Sequence, residues 1–141
     1  MRRRRTFITI LAALLLAACS PEPPKISVEE PYATLSGLFV GAGSVFMKIR
    51  NDGGRDSLMA VSANIPGAII ELHDVKNNHM VKVERFAIPS RSLVDLRPGA
   101  LHIMLFNMPR TIAEGSELVL SLTFERSGRK DVPVRFVRPG R

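Results

Sequence analysis

The sequence predicts an all-β fold, a sandwich or a barrel, and three observations predict it. Apolar and polar residues alternate over short runs, as in half-buried strands. Turn chemistry separates the runs at Asn51-Asp52-Gly53-Gly54, Pro66-Gly67, Asn77-Asn78, Pro98-Gly99, Glu114-Gly115 and Ser127-Gly128. The resulting spacing of roughly 8–12 residues per strand suits a sandwich or barrel, and no segment sustains a helical period.

In chain order, the first strand is expected at 36–40 and the second at 44–50, where Val45, Met47 and Ile49 alternate with polar or larger neighbours. Strands at 56–63 and 68–73 follow, then one at 79–86, with Val81 and Val83 on one face. Residues 92–96 and 101–106 are next, and residues 109–114 have room for a single helical turn. The clearest strand is 117–124. There Leu118, Leu120, Leu122 and Phe124 share one face, and Val119, Ser121 and Thr123 share the other. Residues 131–137 close the series.

The chain has 141 residues and a net charge of +7, from 20 Lys+Arg against 13 Asp+Glu. That length is one domain's worth. A pI near 10.5 would invite a nucleic-acid reading, but Arg2, Arg3, Arg4 and Arg5 supply four of the positive charges, and they precede the apolar run Phe7–Ala18. A basic head followed by a short apolar stretch and small residues is an export signal. It is too short to span a bilayer, which takes about 20 residues. Without those arginines 16 basic residues face 13 acidic ones, so no nucleic-acid partner is expected. The basic residues Arg126, Arg129, Lys130, Arg135, Arg138 and Arg141 read as a solvated face that could also touch anionic lipid.

Leu16-Ala17-Ala18-Cys19 resembles the lipobox of bacterial lipoproteins. That resemblance implies cleavage after residue 18, lipidation of Cys19 and anchoring of the mature chain to a membrane. Ser20 favours the outer membrane, with the inner membrane as the alternative. Cys19 is the single cysteine, so it forms no internal disulfide. The expected organisation is therefore a signal peptide at 1–18, a lipidated Cys and proline-rich tether at 19–25, and one β domain at 26–138. The tether, with Pro21, Pro23 and Pro24, reads as an extended spacer.

The residues that carry chemistry are His and Met. In Leu101-His102-Ile103-Met104-Leu105, the apolar residues alternate with His102 and Met104, about 7 Å apart along a strand. Val81 and Val83 alternate with Met80 and Lys82 in the same way, and Ile70 and Leu72 with Glu71 and His73. His73, Met80, His102 and Met104 can therefore all lie on the face away from the core. Imidazole and thioether together suit copper(I). Hard-metal oxygen clusters and a thiolate zinc site are not suggested. Asp74 could orient a ligand, though a solvent-facing position is the simpler reading. The competing reading of the whole set is core methionines and scattered histidines, which would leave a structural or interaction lipoprotein.

These residues resemble the periplasmic copper(I) chaperones known as PCu(A)C. Met80 is followed by 21 residues and then His102-Ile103-Met104. Val45-Phe46-Met47-Lys48-Ile49-Arg50-Asn51, Glu71-Leu72-His73, Leu96 to Leu105 and Leu120 to Glu125 are also similar to that family's text. The resemblance covers roughly 26–137. It implies a cupredoxin-like Greek-key β-sandwich with an exposed copper(I) site of His73, Met80, His102 and Met104. It also implies a carrier role without catalysis, in the periplasm, delivering copper to the copper centre of cytochrome c oxidase subunit II or to another copper-accepting protein. The span from His73 to Met80 is shorter here than the family's, and no Met follows His73. His79 is therefore an alternative ligand, although its parity is opposite to that of Met80. A blue-copper electron carrier is disfavoured because the domain lacks a cysteine.

Overall fold

The computed structural model describes residues 21–140. The expected signal peptide at 1–18, Cys19 and Ser20 lie outside the described residues. All ten elements among the described residues are strands: β1 Ile26–Leu35, β2 Gly43–Asn51, β3 Asp56–Ala63, β4 Ile69–Lys76, β5 His79–Val83, β6 Phe86–Ile88, β7 Ser92–Leu96, β8 His102–Phe106, β9 Glu117–Phe124 and β10 Gly128–Phe136. The pairing order is β5-β4-β8-β2-β1-β10-β9-β3-β6, with β7 also on β2. β1 runs parallel to β10, whereas the other ladders are antiparallel. β3 packs against β4 and β6 against β7, which closes the sheet around one core. The all-β expectation and the cupredoxin-like sandwich are both met.

The core is filled by the faces that alternation marks. Val45, Met47 and Ile49 enter it from β2, Ile103 and Leu105 from β8, Leu118, Leu120, Leu122 and Phe124 from β9, and Val132, Val134 and Phe136 from β10. Phe86 and Ile88 are also fully buried. They form a separate strand on β3, with Phe86 opposite Leu58. The single strand expected at 79–86 therefore divides, because the chain leaves the β4 edge after Val83 and crosses to β3.

Two further expectations change. Residues 36–40 are a loop, and Leu38, Phe39 and Val40 are exposed. The Ser36 hydroxyl accepts hydrogen bonds from the Leu38 and Phe39 amides, a local turn that competes with a ladder. Gly41 then takes a left-handed φ of 74°, and Ser36 N–H closes the loop on the Ala42 carbonyl. The true first strand is Ile26–Leu35, whose alternation is broken by Glu29-Glu30-Pro31. Its register slips between Glu29 and Tyr32, with Glu30 at φ 51°. A bulge of this kind lets a strand carry a proline without losing its partner. Residues 109–114 form turns, not a helix.

Two buried polar side chains tie the end of the sandwich where β2 finishes and β3 begins. Asn51 is fully buried. Its amide donates to the carbonyls of Gly54 and Pro89, and its oxygen accepts from the Lys25 and Gly53 amides. Asp56 accepts from the amides of Ser57, Arg126 and Ser127 and from the Ser127 hydroxyl. Burial pushes the Asp56 carboxyl toward the neutral form. The four hydrogen bonds outweigh that and hold it below the ordinary carboxylate range.

Two stability outcomes are expected. In denaturant titration, Leu120→Ala costs about 2–5 kcal/mol because it leaves a cavity, whereas Val119→Ser on the opposite face changes stability by only about 0.5 kcal/mol. Asp56 stabilises the fold above the carboxylate's unfolded pKa of about 3.9. That contribution is lost as pH falls through its lower folded value. Asp56→Asn therefore flattens the acid limb of the stability–pH curve, and an unchanged limb excludes Asp56 as its source.

Candidate metal centre

The register of β5, β4, β8 and β2 assembles the centre. His73 of β4 sits directly opposite His102 of β8, and Glu71 opposite Met104. Residues directly opposite one another in an antiparallel pair share a face. Ser44 of β2 is opposite Met104 and continues that face. On β5, Lys82 is opposite His73 and Met80 opposite Val75, so Met80 lies diagonal to His73, on the order of 7–8 Å away by strand geometry. His73, Met80, His102 and Met104 are thus brought to one face, turned away from Ile103 and Leu105. His79 is opposite Lys76, which puts it on the other face, and it is exposed.

The face is less open than the expected exposed site. His73 is 9% accessible, His102 4% and Met104 7%, whereas Met80 is 58% accessible. A row of rings crossing the strands provides the cover. Tyr32 lies 5.2 Å from Phe46, Phe46 6.3 Å from His102, His102 5.8 Å from His73, and His73 6.0 Å from Phe106, all between ring centroids. Only Met80, on the edge strand β5, reaches solvent freely.

Hydrogen bonds decide which ring nitrogens are available. Nδ1 of His102 is 2.7 Å from the Ala100 carbonyl. A carbonyl only accepts, so in the neutral ring Nδ1 carries the proton and Nε2 keeps its lone pair. His73 is arranged the other way. Its Nε2 is 2.9 Å from Glu71 Oε2, so Nε2–H donates to the carboxylate and Nδ1 keeps the lone pair. Nδ1 of His73 is also the one buried side-chain nitrogen or oxygen among the described residues without a hydrogen-bond partner in the protein. Leaving such an atom unsatisfied costs about 1–3 kcal/mol, a strain that fits a ligating position.

Glu71 is itself held by Lys82, whose Nζ is 2.7 Å from Oε1. The Lys82 hydrogen bond, followed by that from His73, keeps the Glu71 carboxyl below the ordinary range and therefore ionised. The Ser44 hydroxyl donates to Met104 Sδ at 3.2 Å, which orients the thioether. Glu71, not Asp74, orients the histidine. Asp74 faces the other side of β4, and its carboxylate caps the Val75 amide. The orienting role of Ser44 and the cover from Phe46 and Phe106 carry no signal in the sequence, because each looks like an ordinary strand residue. For Glu71, parity with His73 is the signal.

The centre therefore offers two imidazole nitrogens and one or two thioethers on a water-poor face, a soft, neutral donor set that suits a monovalent ion. No cluster of three or more His, Cys, Asp or Glu suited to a metal occurs among the described residues, which is consistent with a set completed by sulfur.

A model of the LpqE-like family, described as "Putative lipoprotein LpqE-like", matches residues 26–136. Comparison with curated proteins found no match. Solved structures share the fold. The apo PCuAC domain from PmoF1 is 25% identical with a TM-score of 0.69, covering 82% of this chain and 95% of its own. The copper-bound PCuAC domain from PmoF2 is 22% identical with a TM-score of 0.67, covering 82% and 94%. The solution structure of CuI-DR1885 from Deinococcus radiodurans is 18% identical with a TM-score of 0.64, covering 91% and 87%.

Glu71→Gln removes the carboxylate that selects the His73 tautomer. Two-dimensional 15N NMR of the imidazoles is expected to show the His73 Nε2–H form as dominant in the wild type and a mixture of tautomers in Glu71→Gln, with His102 unchanged. An unmoved His73 tautomer would sink the orienting role of Glu71.

Proposed function

We propose that this chain, which belongs to the LpqE-like family and has the fold of PCuAC domains, is an exported copper(I) carrier. The observation that carries the reading is the buried, unpartnered Nδ1 of His73, facing His102 and sharing its face with Met104 and Met80. His73 Nδ1, His102 Nε2 and Met104 Sδ would bind the ion, held in place by Glu71, Ala100 and Ser44. Met80 would close the site from the edge.

The unequal burial suggests how cargo leaves. Three donors are fixed and nearly inaccessible, whereas Met80 is exposed on a five-residue edge strand. An acceptor's ligand can replace the Met80 thioether first, because only that side is open. Thioethers suit such exchange in an oxidising compartment, since they form no disulfides. The acceptor we favour is the copper centre of cytochrome c oxidase subunit II, reached in the periplasm by a chain anchored through lipid on Cys19. Ser20 favours the outer membrane for that anchor.

The test is a copper(I) competition titration against a chromophoric chelator on residues 20–141. Met80→Ala, His102→Ala and Met104→Ala together are expected to lower affinity by more than the roughly 10–100-fold that loss of an outer hydrogen-bond partner costs, and His79→Ala to leave it unchanged. Unchanged affinity in the triple variant overturns the site. A wild type that binds no copper(I) would favour the other reading, an interaction lipoprotein whose metal residues are vestigial.

A further inference from the structure

The segment before β1 reads as an extended spacer, and the structure shows it bound along its length. The Lys25 amide donates to Asn51 Oδ1 and its carbonyl accepts from the Asp52 amide. The Pro23 carbonyl accepts from the Gly54 amide. The Arg126 guanidinium reaches the carbonyls of Pro21 and Glu22, and the Glu22 carboxylate pairs with Arg91 at 2.8 Å. The approach is so close that a Cβ on Gly54 would collide with the Glu22 carbonyl, and one on Gly53 with that of Pro23. Prolines at 21, 23 and 24 restrict the backbone further.

Pro21 stands two residues from Cys19, a reach of at most about 7 Å. We propose that residues 21–25 are a rigid strut that seats one end of the sandwich on the lipid headgroups of the membrane holding the anchor. The seated end is the Asp52–Gly54 turn with the β9–β10 turn, and this rests on the reading that Cys19 is lipidated. Arg126 of that turn, Lys130 at the start of β10 and Lys25 of the strut line one surface hollow with Pro23 and Pro24 and supply positive charge for an anionic surface, whereas Arg129 is paired with Asp131. The membrane is the fitting occupant because the covalent link leaves no room for a protein between it and this end.

The consequence concerns the copper partner. β2 runs from Asn51, which holds the strut, to Phe46, whose ring lies against His102. Five residues of strand put the metal face roughly 17 Å from the seated end. That face lies on the side of the sandwich. The partner that exchanges copper must therefore bring its ligands laterally to about that height above the same membrane, or be soluble. A partner fixed in an opposite membrane is out of reach, so delivery to the oxidase would require the anchor to sit in the acceptor's own membrane, the inner-membrane alternative to the Ser20 reading.

The test uses the full chain, processed in a bacterial host and placed in vesicles of phosphatidylethanolamine and phosphatidylglycerol. A donor dye on Lys76→Cys, a thiol that lipidated Cys19 does not compete with, reports its distance to headgroup-labelled lipid by time-resolved energy transfer. The expected result is one narrow distance distribution. Inserting 20 Gly/Ser residues between Ser20 and Pro21 adds a linker ranging over about 25 Å and should broaden it. Gly54→Val should broaden it by ejecting the strut, and the insertion serves alone if that variant misfolds. Intact mass separates the two readings. An acylated chain whose distribution is as broad as that of the inserted variant overturns the strut alone, whereas an unacylated Cys19 overturns the anchor and the seating with it.

Discussion

Strand β8 is clamped between β4 and β2, and its register is the constraint on which the rest depends. Ile103 and Leu105 enter the core with no exposure, while His102 and Met104 point to the other face. A slip of one residue would exchange the two sets. It would bury His102 in the core and expose the leucine and isoleucine, so apolar burial enforces the register that builds the candidate metal face. The same energy that folds the sandwich therefore positions the donors, and no dedicated loop is needed to do it.

That economy has a local cost. A histidine with a lone pair aimed at nothing in the protein is unfavourable on a face shielded by Phe46, His102 and Phe106. It persists because Glu71 grips the opposite nitrogen and Lys82 grips Glu71. The Lys82–Glu71 pair is partly solvent-exposed, so its direct contribution to stability is small. Its effect is orientational, holding His73 in the one tautomer that leaves the lone pair on Nδ1.

The two ends of the sandwich differ in character. At one, Asn51 and Asp56 bind strand ends, strut and turns into a hydrogen-bonded block. At the other, the Leu38-Phe39-Val40 loop projects beyond β1 and β2. The rigid end is the one from which the N-terminal segment departs. With Cys19 lipidated as proposed, that placement would make the anchor a determinant of orientation as well as of location.

Alternation by itself determined the all-β class, the inward face of β2, β8 and β9, and the sharing of one face by His73, Met80, His102 and Met104, because strand parity is a local property of the chain. It misplaced β1, where a bulge around Glu30-Pro31 hid the period, and it took 36–40 for a strand, because three consecutive apolar residues look alike in a strand and in a loop closed by Ser36 and Gly41. Burial of the donors was not legible either, since it comes from rings on four different strands. Nor was the choice of nitrogen on each histidine, which depends on Glu71 and Ala100 meeting the rings at hydrogen-bonding distance. The proline segment shows the same division. Its stiffness is written in Pro21, Pro23 and Pro24, but that it lies bound against Gly53, Gly54 and Arg126 was decided by tertiary structure, because residues up to 105 positions apart must first be brought together.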